Sequence, residues 1–179
     1  EYILSVGVAP GLAADVGRRY EVSVDDSWDD SAEDPAGAAA IELGSTYDGE
    51  IDDDNDVDWI GVLLEAGTLY EATAEGIDST RSVGSRVLPL NTQIEGIYDV
   101  NGVRVADAAS GDDSTASQIY LPTQTGTYYV AVAAEGEADN GNYRLSVAPA
   151  ATATLTLGQP TPTYIFEPGG QRWYEVEME

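Results

Sequence analysis

The stretch GEIDDDNDVDW, residues 49–59, places Glu50, Asp52, Asp53, Asp54, Asp56 and Asp58 within eleven residues and then runs into a tryptophan. Carboxylates packed this closely repel one another unless water, salt or a bound cation screens them. A hard cation such as calcium takes about six to eight oxygen ligands from carboxylates and carbonyls, and an Asp-rich turn supplies both. The spacing is not that of a helix–loop–helix calcium loop. Asp52, Asp54 and Asp56 fill its first three alternate positions, but Val57 stands where glycine is required and Leu63 where the closing glutamate belongs. A cation site would therefore be assembled from separate segments, with the acids of DDSWDDSAED (25–34) folding back against 52–58. The competing reading is a solvated acidic turn in a salt-adapted protein.

Other candidate groups point less clearly to chemistry. ASGDDSTAS (109–117) offers Asp112 and Asp113 to a second cation, but a polar hairpin loop is the plainer reading. Trp59, Tyr128, Tyr129 and Tyr143 could make a carbohydrate platform, yet their places in alternating segments favour core and cross-strand packing. Trp28 sits in a polar segment, either plugging a sandwich end or making an exposed contact. Histidine and cysteine are absent, which removes the commonest general base, the thiolate nucleophile and any disulfide. No G-x-S-x-G elbow, aspartic-protease Asp-Thr/Ser-Gly or phosphate-binding glycine loop occurs, and nothing singles out a catalytic pair among the acids. The chain reads as non-catalytic.

Acids outnumber bases 33 to 7, every base is arginine, and the net charge is −26. Such a surface repels nucleic acid and anionic membranes and favours cations, basic surfaces or a salty medium. No apolar stretch approaches the length of a membrane-spanning helix.

The elements that would position these acids are strands. Helical periodicity is nearly missing, and short alternating runs rich in Val, Ile, Thr and Tyr are punctuated by Gly, Asn and Asp. Strands are expected at 38–43, 58–65, 68–75, 93–99, 103–107, 117–121, 127–134 and 142–148, with a hairpin at Asn101-Gly102. Many short strands at close spacing predict an all-β, antiparallel, jelly-roll-like sandwich. Ile60, Val62, Leu64, Tyr128, Val130, Val132, Leu145 and Val147 form its expected core, with Trp59 and Leu63 on the opposite face of their strand.

Internal echoes suggest tandem organisation. EYILSVGVAP at the start matches NYRLSVAPAA (142–151), pairing Tyr2 with Tyr143, Leu4 with Leu145, Ser5 with Ser146 and Val6 with Val147. Gly44 and Trp59 stand fifteen residues apart, as do Gly158 and Trp173, with Val62/Val176 and Glu65/Glu179 following in register. The expected layout is a last strand of a preceding module at 1–8, a linker at 9–24, a complete module at 25–148, a linker at 149–154, and the first strands of a following module at 155–179.

The central module has a recognisable motif order: ELGSTYDGEIDDDNDVDWIGVLLEAGTLYEATAEG, then IYDVNGVRVADAASGDD, then TGTYYVAVAAEGEADNGNYRLSV. It resembles the bacterial pre-peptidase C-terminal domain family, to which the collagen-binding domains of clostridial collagenases belong. The resemblance implies a secreted, non-catalytic β-sandwich appended to exported proteins, and calcium shared between acids upstream of the first strand and acids in the turn before the aromatic strand. Carried onto this chain, the first group falls in 25–34, with Asp25, Asp26, Asp29 and Asp30, and the second in Asp54, Asp56 and Asp58. The family's upstream Glu-x-Glu-x-Asn arrangement is not present here.

Two functional classes follow. One is a calcium-stabilised structural or adhesive unit of an extracellular fibre, stalk or surface layer, whose partners are neighbouring copies or modules joined head to tail. The other is an appendage that binds extracellular protein or polysaccharide, or targets a secreted peptidase or other exported hydrolase. In the first class, residues 1–7 and 163–179 are strands in need of sheets to complete.

Overall fold

The computed structural model describes residues 31–32, 34–52, 55–79, 82–83, 86–110, 114–135, 140–155 and 173–176. The expected preceding-module strand at 1–8 and linker at 9–24 lie outside these residues. In chain order the strands are β1 (Ala39–Ile41), β2 (Thr46–Ile51), β3 (Val57–Leu64), β4 (Tyr70–Gly76), β5 (Ser82–Val83), β6 (Arg86–Val87) and β7 (Thr92–Tyr98). There follow β8 (Arg104–Ala106), β9 (Ala109–Ser110), β10 (Thr115–Tyr120), β11 (Gly126–Ala134), β12 (Gly141–Pro149), β13 (Thr152–Leu155) and β14 (Trp173–Val176).

Alternation along β3 shows why these segments make a sandwich. Asp58, Ile60, Val62 and Leu64 point inward, and Trp59 and Leu63 point out. In β11 the inward set is Tyr128, Val130 and Val132, and in β12 it is Tyr143, Leu145 and Val147. All eight expected core residues are buried. Each buried aliphatic side chain of this kind stabilises the fold by roughly 1.5–3 kcal/mol.

Two sheets face each other across this core. One runs β1-β3-β11-β7-β8, with β9 also on β7; the other runs β10-β4-β12-β2. Strands that follow one another in sequence mostly lie in opposite sheets, so the chain shuttles across the core and closes it with non-local contacts. Thr92 on β7 adds a polar tie, its hydroxyl lying 2.9 Å from the carbonyl of Ala74 on β4. On β7, Ile94 and Ile97 both reach the core although three residues apart. A register shift opposite Ala131 and Val132 lets Glu95 drop out of the pairing, which restores the inward phase.

Three features depart from the expected layout. Residues 46–51 form a strand, where the sequence suggested only the approach to an acidic turn. The inward positions of β2 are Gly49 and Ile51, and glycine masks the apolar alternation. The sandwich is antiparallel except for β1, which pairs with β3 in parallel. A run of alanines carries no signal for the direction of its neighbour. The segment expected as a linker at 149–154 is largely strand: Pro149 closes β12, and Thr152 opens β13, which pairs with β14. Its threonines suit an extended backbone as well as they suit a linker.

The expected Asn101-Gly102 hairpin joins β7 to β8, with Gly102 at φ 73°. Asp99 organises it, its Oδ1 accepting the backbone N–H groups of Val103 and Asn101, both at 2.9 Å. The Val103 and Asn101 donors hold the Asp99 carboxyl below its ordinary value of 3.8. A carboxyl lowered in the folded state stabilises it above that ordinary value, and the contribution disappears as the pH falls through the folded value. Asp99→Ala should therefore speed amide exchange at Val103 near neutral pH, and the difference from wild type should close as the solution is acidified below 3.8.

Candidate functional site

The acidic turn lies between β2 and β3. Asp58 enters the core completely, on the face of β3 that carries Ile60 and Val62. A buried carboxylate is costly unless it is hydrogen-bonded. Tyr143, on β12 in the opposite sheet, donates its hydroxyl to Asp58 Oδ2 at 2.6 Å. The tyrosine reaches this position by lying across Gly49, its register partner on β2. A Cβ at Gly49 would stand 2.5 Å from the tyrosine oxygen and 2.6 Å from the ring carbon that bears it. Glycine at 49, tyrosine at 143 and aspartate at 58 are thus one mutually dependent set.

Just outside the core, Asp56 is nearly buried and its Oδ2 accepts the backbone N–H of Asp52 at 2.8 Å. Asn140 donates its side-chain amide to the Asp52 carbonyl at 2.6 Å. The backbone at Asp52 is therefore gripped from both sides. The carboxamide oxygen of Asn140 is buried and accepts no hydrogen bond among the described residues. Carboxylate, backbone carbonyl and carboxamide oxygens make a donor set for a hard cation, with nothing soft in it.

The upstream acidic segment ends at the same place. Trp59 donates its backbone N–H to the Ala32 carbonyl at 3.3 Å. Ser31, itself buried, donates its hydroxyl to the Trp59 carbonyl at 2.7 Å and accepts the Ala39 N–H at 3.2 Å. Residues 31–32 thus lie directly beside the β3 segment that carries Asp58. Asp25, Asp26, Asp29, Asp30 and Asp54, expected as metal ligands, lie outside the described residues, as do Asp112, Asp113 and Trp28. Among the described residues no group of three or more acids is placed to hold a metal ion.

The four aromatic candidates divide by strand parity. Tyr128 and Tyr143 are in the core; Tyr128 donates to the Gln124 carbonyl at 2.9 Å and packs on Tyr120, ring centroids 5.2 Å apart. Burial, with the Tyr128 hydroxyl next in weight, pushes the Tyr120 phenol up to about 12. Trp59 and Tyr129 lie on the outer face with Tyr98, the indole 4.2 Å from the Tyr98 ring and 6.0 Å from Tyr129. Arg104 stands over the Tyr98 ring at 5.5 Å and donates to its hydroxyl at 3.0 Å. Sequence reasoning missed Tyr98 and Arg104. The hairpin that sets them on paired strands was legible, and cross-strand register would have found them.

No family model matches the chain, and no curated protein matches it. Among solved structures the chain is similar to the pre-peptidase C-terminal domain of a collagenase from Bacillus anthracis, at 16% identity and a TM-score of 0.44, over 62% of this chain and 93% of that one. That domain is of the family that the motif order of the central module resembles.

Gly49→Ala should destabilise the protein by roughly 1–3 kcal/mol in denaturant unfolding, because the added methyl must push the Tyr143 ring off Asp58.

Proposed function

We propose that the chain is a non-catalytic extracellular β-sandwich unit, structural or adhesive, stabilised by calcium at the acidic turn and built to be joined head to tail with neighbouring copies or modules. The observation that carries this reading is the seating of Ser31 and Ala32 against Trp59. It brings the end of an acid-rich upstream segment to the base of an acid-rich turn. A cation shared by Asp56, the Asp52 and Asn140 oxygens and the upstream acids Asp25, Asp26, Asp29 and Asp30 would turn like-charge repulsion into a cross-link. That cross-link fixes the entering chain to the sandwich, which is what a load-bearing module needs. Millimolar calcium outside cells fills even weak sites of this kind.

The outward cluster of Trp59, Tyr98 and Tyr129 with Arg104 supports a second reading, in which the sandwich is an appendage of a secreted peptidase or other exported hydrolase. Half-exposed rings beside a guanidinium offer apolar faces and a donor to an extracellular protein or polysaccharide.

At constant ionic strength, chelation should lower the melting temperature. Calcium at about a hundredfold above its Kd stabilises a single-site protein by about 2.7 kcal/mol. Asp56→Asn should remove the calcium dependence while leaving a folded, cooperatively melting sandwich. Equal melting with and without calcium would instead support a salt-adapted surface with no ion site.

A further inference from the structure

Two places in the chain set asparagine directly before glycine, Asn101-Gly102 and Asn140-Gly141; the other asparagines precede aspartate, threonine and tyrosine. The pairing is chemically distinctive. Glycine has no side chain to shield its backbone nitrogen, so that nitrogen can close on the asparagine Cγ in a five-membered ring. The reaction asks two things of the structure: freedom for the carboxamide and the following peptide to turn toward each other, and room for the ring they form.

Asn140-Gly141 has neither. The Asn140 carboxamide donates to the Asp52 carbonyl at 2.6 Å, and its oxygen is buried. Gly141 is in register with Ile51 where β12 begins, and a Cβ there would collide with the Asp78 carbonyl oxygen and the Ser79 Cα. Asn101-Gly102 is the opposite case. Asn101 is exposed in the β7–β8 hairpin, and among the described residues only Pro35 Cγ, at 3.9 Å, comes near a Cβ built on Gly102. One residue restrains this pair. Asp99 Oδ1 accepts the Asn101 backbone N–H at 2.9 Å, and its Oδ2 accepts the Asn101 carboxamide N–H at 3.3 Å. The Asp99 carbonyl accepts the Gly102 N–H at 2.9 Å. Both reacting groups are therefore held by the same neighbour, in an exposed hairpin where local opening is least costly.

We propose that Asn101 is a site of spontaneous covalent modification in the folded protein, and that Asp99 sets its rate. When the hairpin opens, the Gly102 amide nitrogen gives up its proton and attacks Asn101 Cγ. The new N–Cγ bond forms, the bond from Cγ to the side-chain nitrogen breaks, and ammonia leaves with that proton. Water then opens the succinimide at either carbonyl. One product is aspartate at 101; the other is isoaspartate, in which the backbone runs through the former side chain. The only co-reactant is water. Either product brings a carboxylate close to Asp99 where an amide donor stood, so attraction becomes repulsion. Isoaspartate also lengthens the turn by one methylene, and the register it strains is that of Tyr98 with Arg104. This chemistry holds under either reading of function above.

The test incubates the folded chain at mildly alkaline pH and follows each asparagine peptide by mass spectrometry, with a parallel sample in denaturant. Melting of the sandwich serves as the folding control. In denaturant Asn101 and Asn140 should convert at similar rates. In the folded chain Asn101 should convert, more slowly than in denaturant and faster as the pH is raised, while Asn140 stays unconverted over the time in which half of Asn101 reacts. Asp99→Ala should speed conversion at Asn101 severalfold and leave Asn140 unchanged; if that variant does not fold, Asp99→Asn replaces it. Conversion at Asn140 ahead of Asn101 in the folded chain would overturn the site, as would an Asn101 that persists while the denatured sample converts. An Asp99→Ala rate equal to that of wild type would overturn the role given to Asp99.

Discussion

Everything near the acidic turn depends on one buried hydrogen bond, from the Tyr143 hydroxyl to the Asp58 carboxylate. It spans the two sheets where β3 leaves a segment dense with negative charge. The bond fixes three residues distant in sequence: Asp58 must lie inward, Tyr143 must lie flat, and position 49 must lack a side chain for the ring to pass. With Asp58 inside, the alternation of β3 places Ile60, Val62 and Leu64 in the core and leaves Trp59 for the outer aromatic cluster. A hydrogen bond to a charged partner contributes about 1.5–3 kcal/mol, and leaving that partner buried without it costs at least as much.

The same bond separates the roles of two neighbouring acids. Asp58 is inside the sandwich as part of its packing. Asp56, two residues earlier and on the same side of the chain, sits at the rim and shapes the turn by taking the Asp52 amide. Among the described acids of residues 49–59, exposure rises from Asp58 and Asp56, both buried, through Asp52 to Glu50. Asp58 joins the sheets and Asp56 bends the backbone. The contacts of Ser31 and Ala32 with Trp59 set residues 31–32 beside the strand that carries Asp58.

Much of this fold was legible in the sequence, for a physical reason. β3, β11 and β12 alternate clearly because one face of each is buried and the other is not, and a period of two is then forced on the residue types. β2 was hidden because glycine occupies an inward position for the sake of a ring from another strand, so its own pattern carries no apolar mark. The Asp58–Tyr143 bond joins residues 85 apart and leaves no local trace. The metal candidates were readable as a composition, but not as a geometry. Two of the seven, Asp56 and Asp58, are among the described residues, and both are buried. The β13–β14 pair was half legible: strands were expected at 155–179, while the linker-like residues before them concealed that β13 starts at Thr152.

The most direct measurement of the sheet-joining bond is a double-mutant cycle in metal-free buffer with Tyr143→Phe, Asp58→Leu and the double variant, read by denaturant unfolding. Each single change leaves a buried polar group or an ill-fitting apolar one, whereas the double change replaces both partners with apolar groups. The account predicts strong coupling, with the double variant more stable than the sum of the single losses by on the order of 1.5–3 kcal/mol. Single losses that simply add, to within about 0.5 kcal/mol, would contradict it and would show that the Tyr143–Asp58 contact does not couple the two sheets.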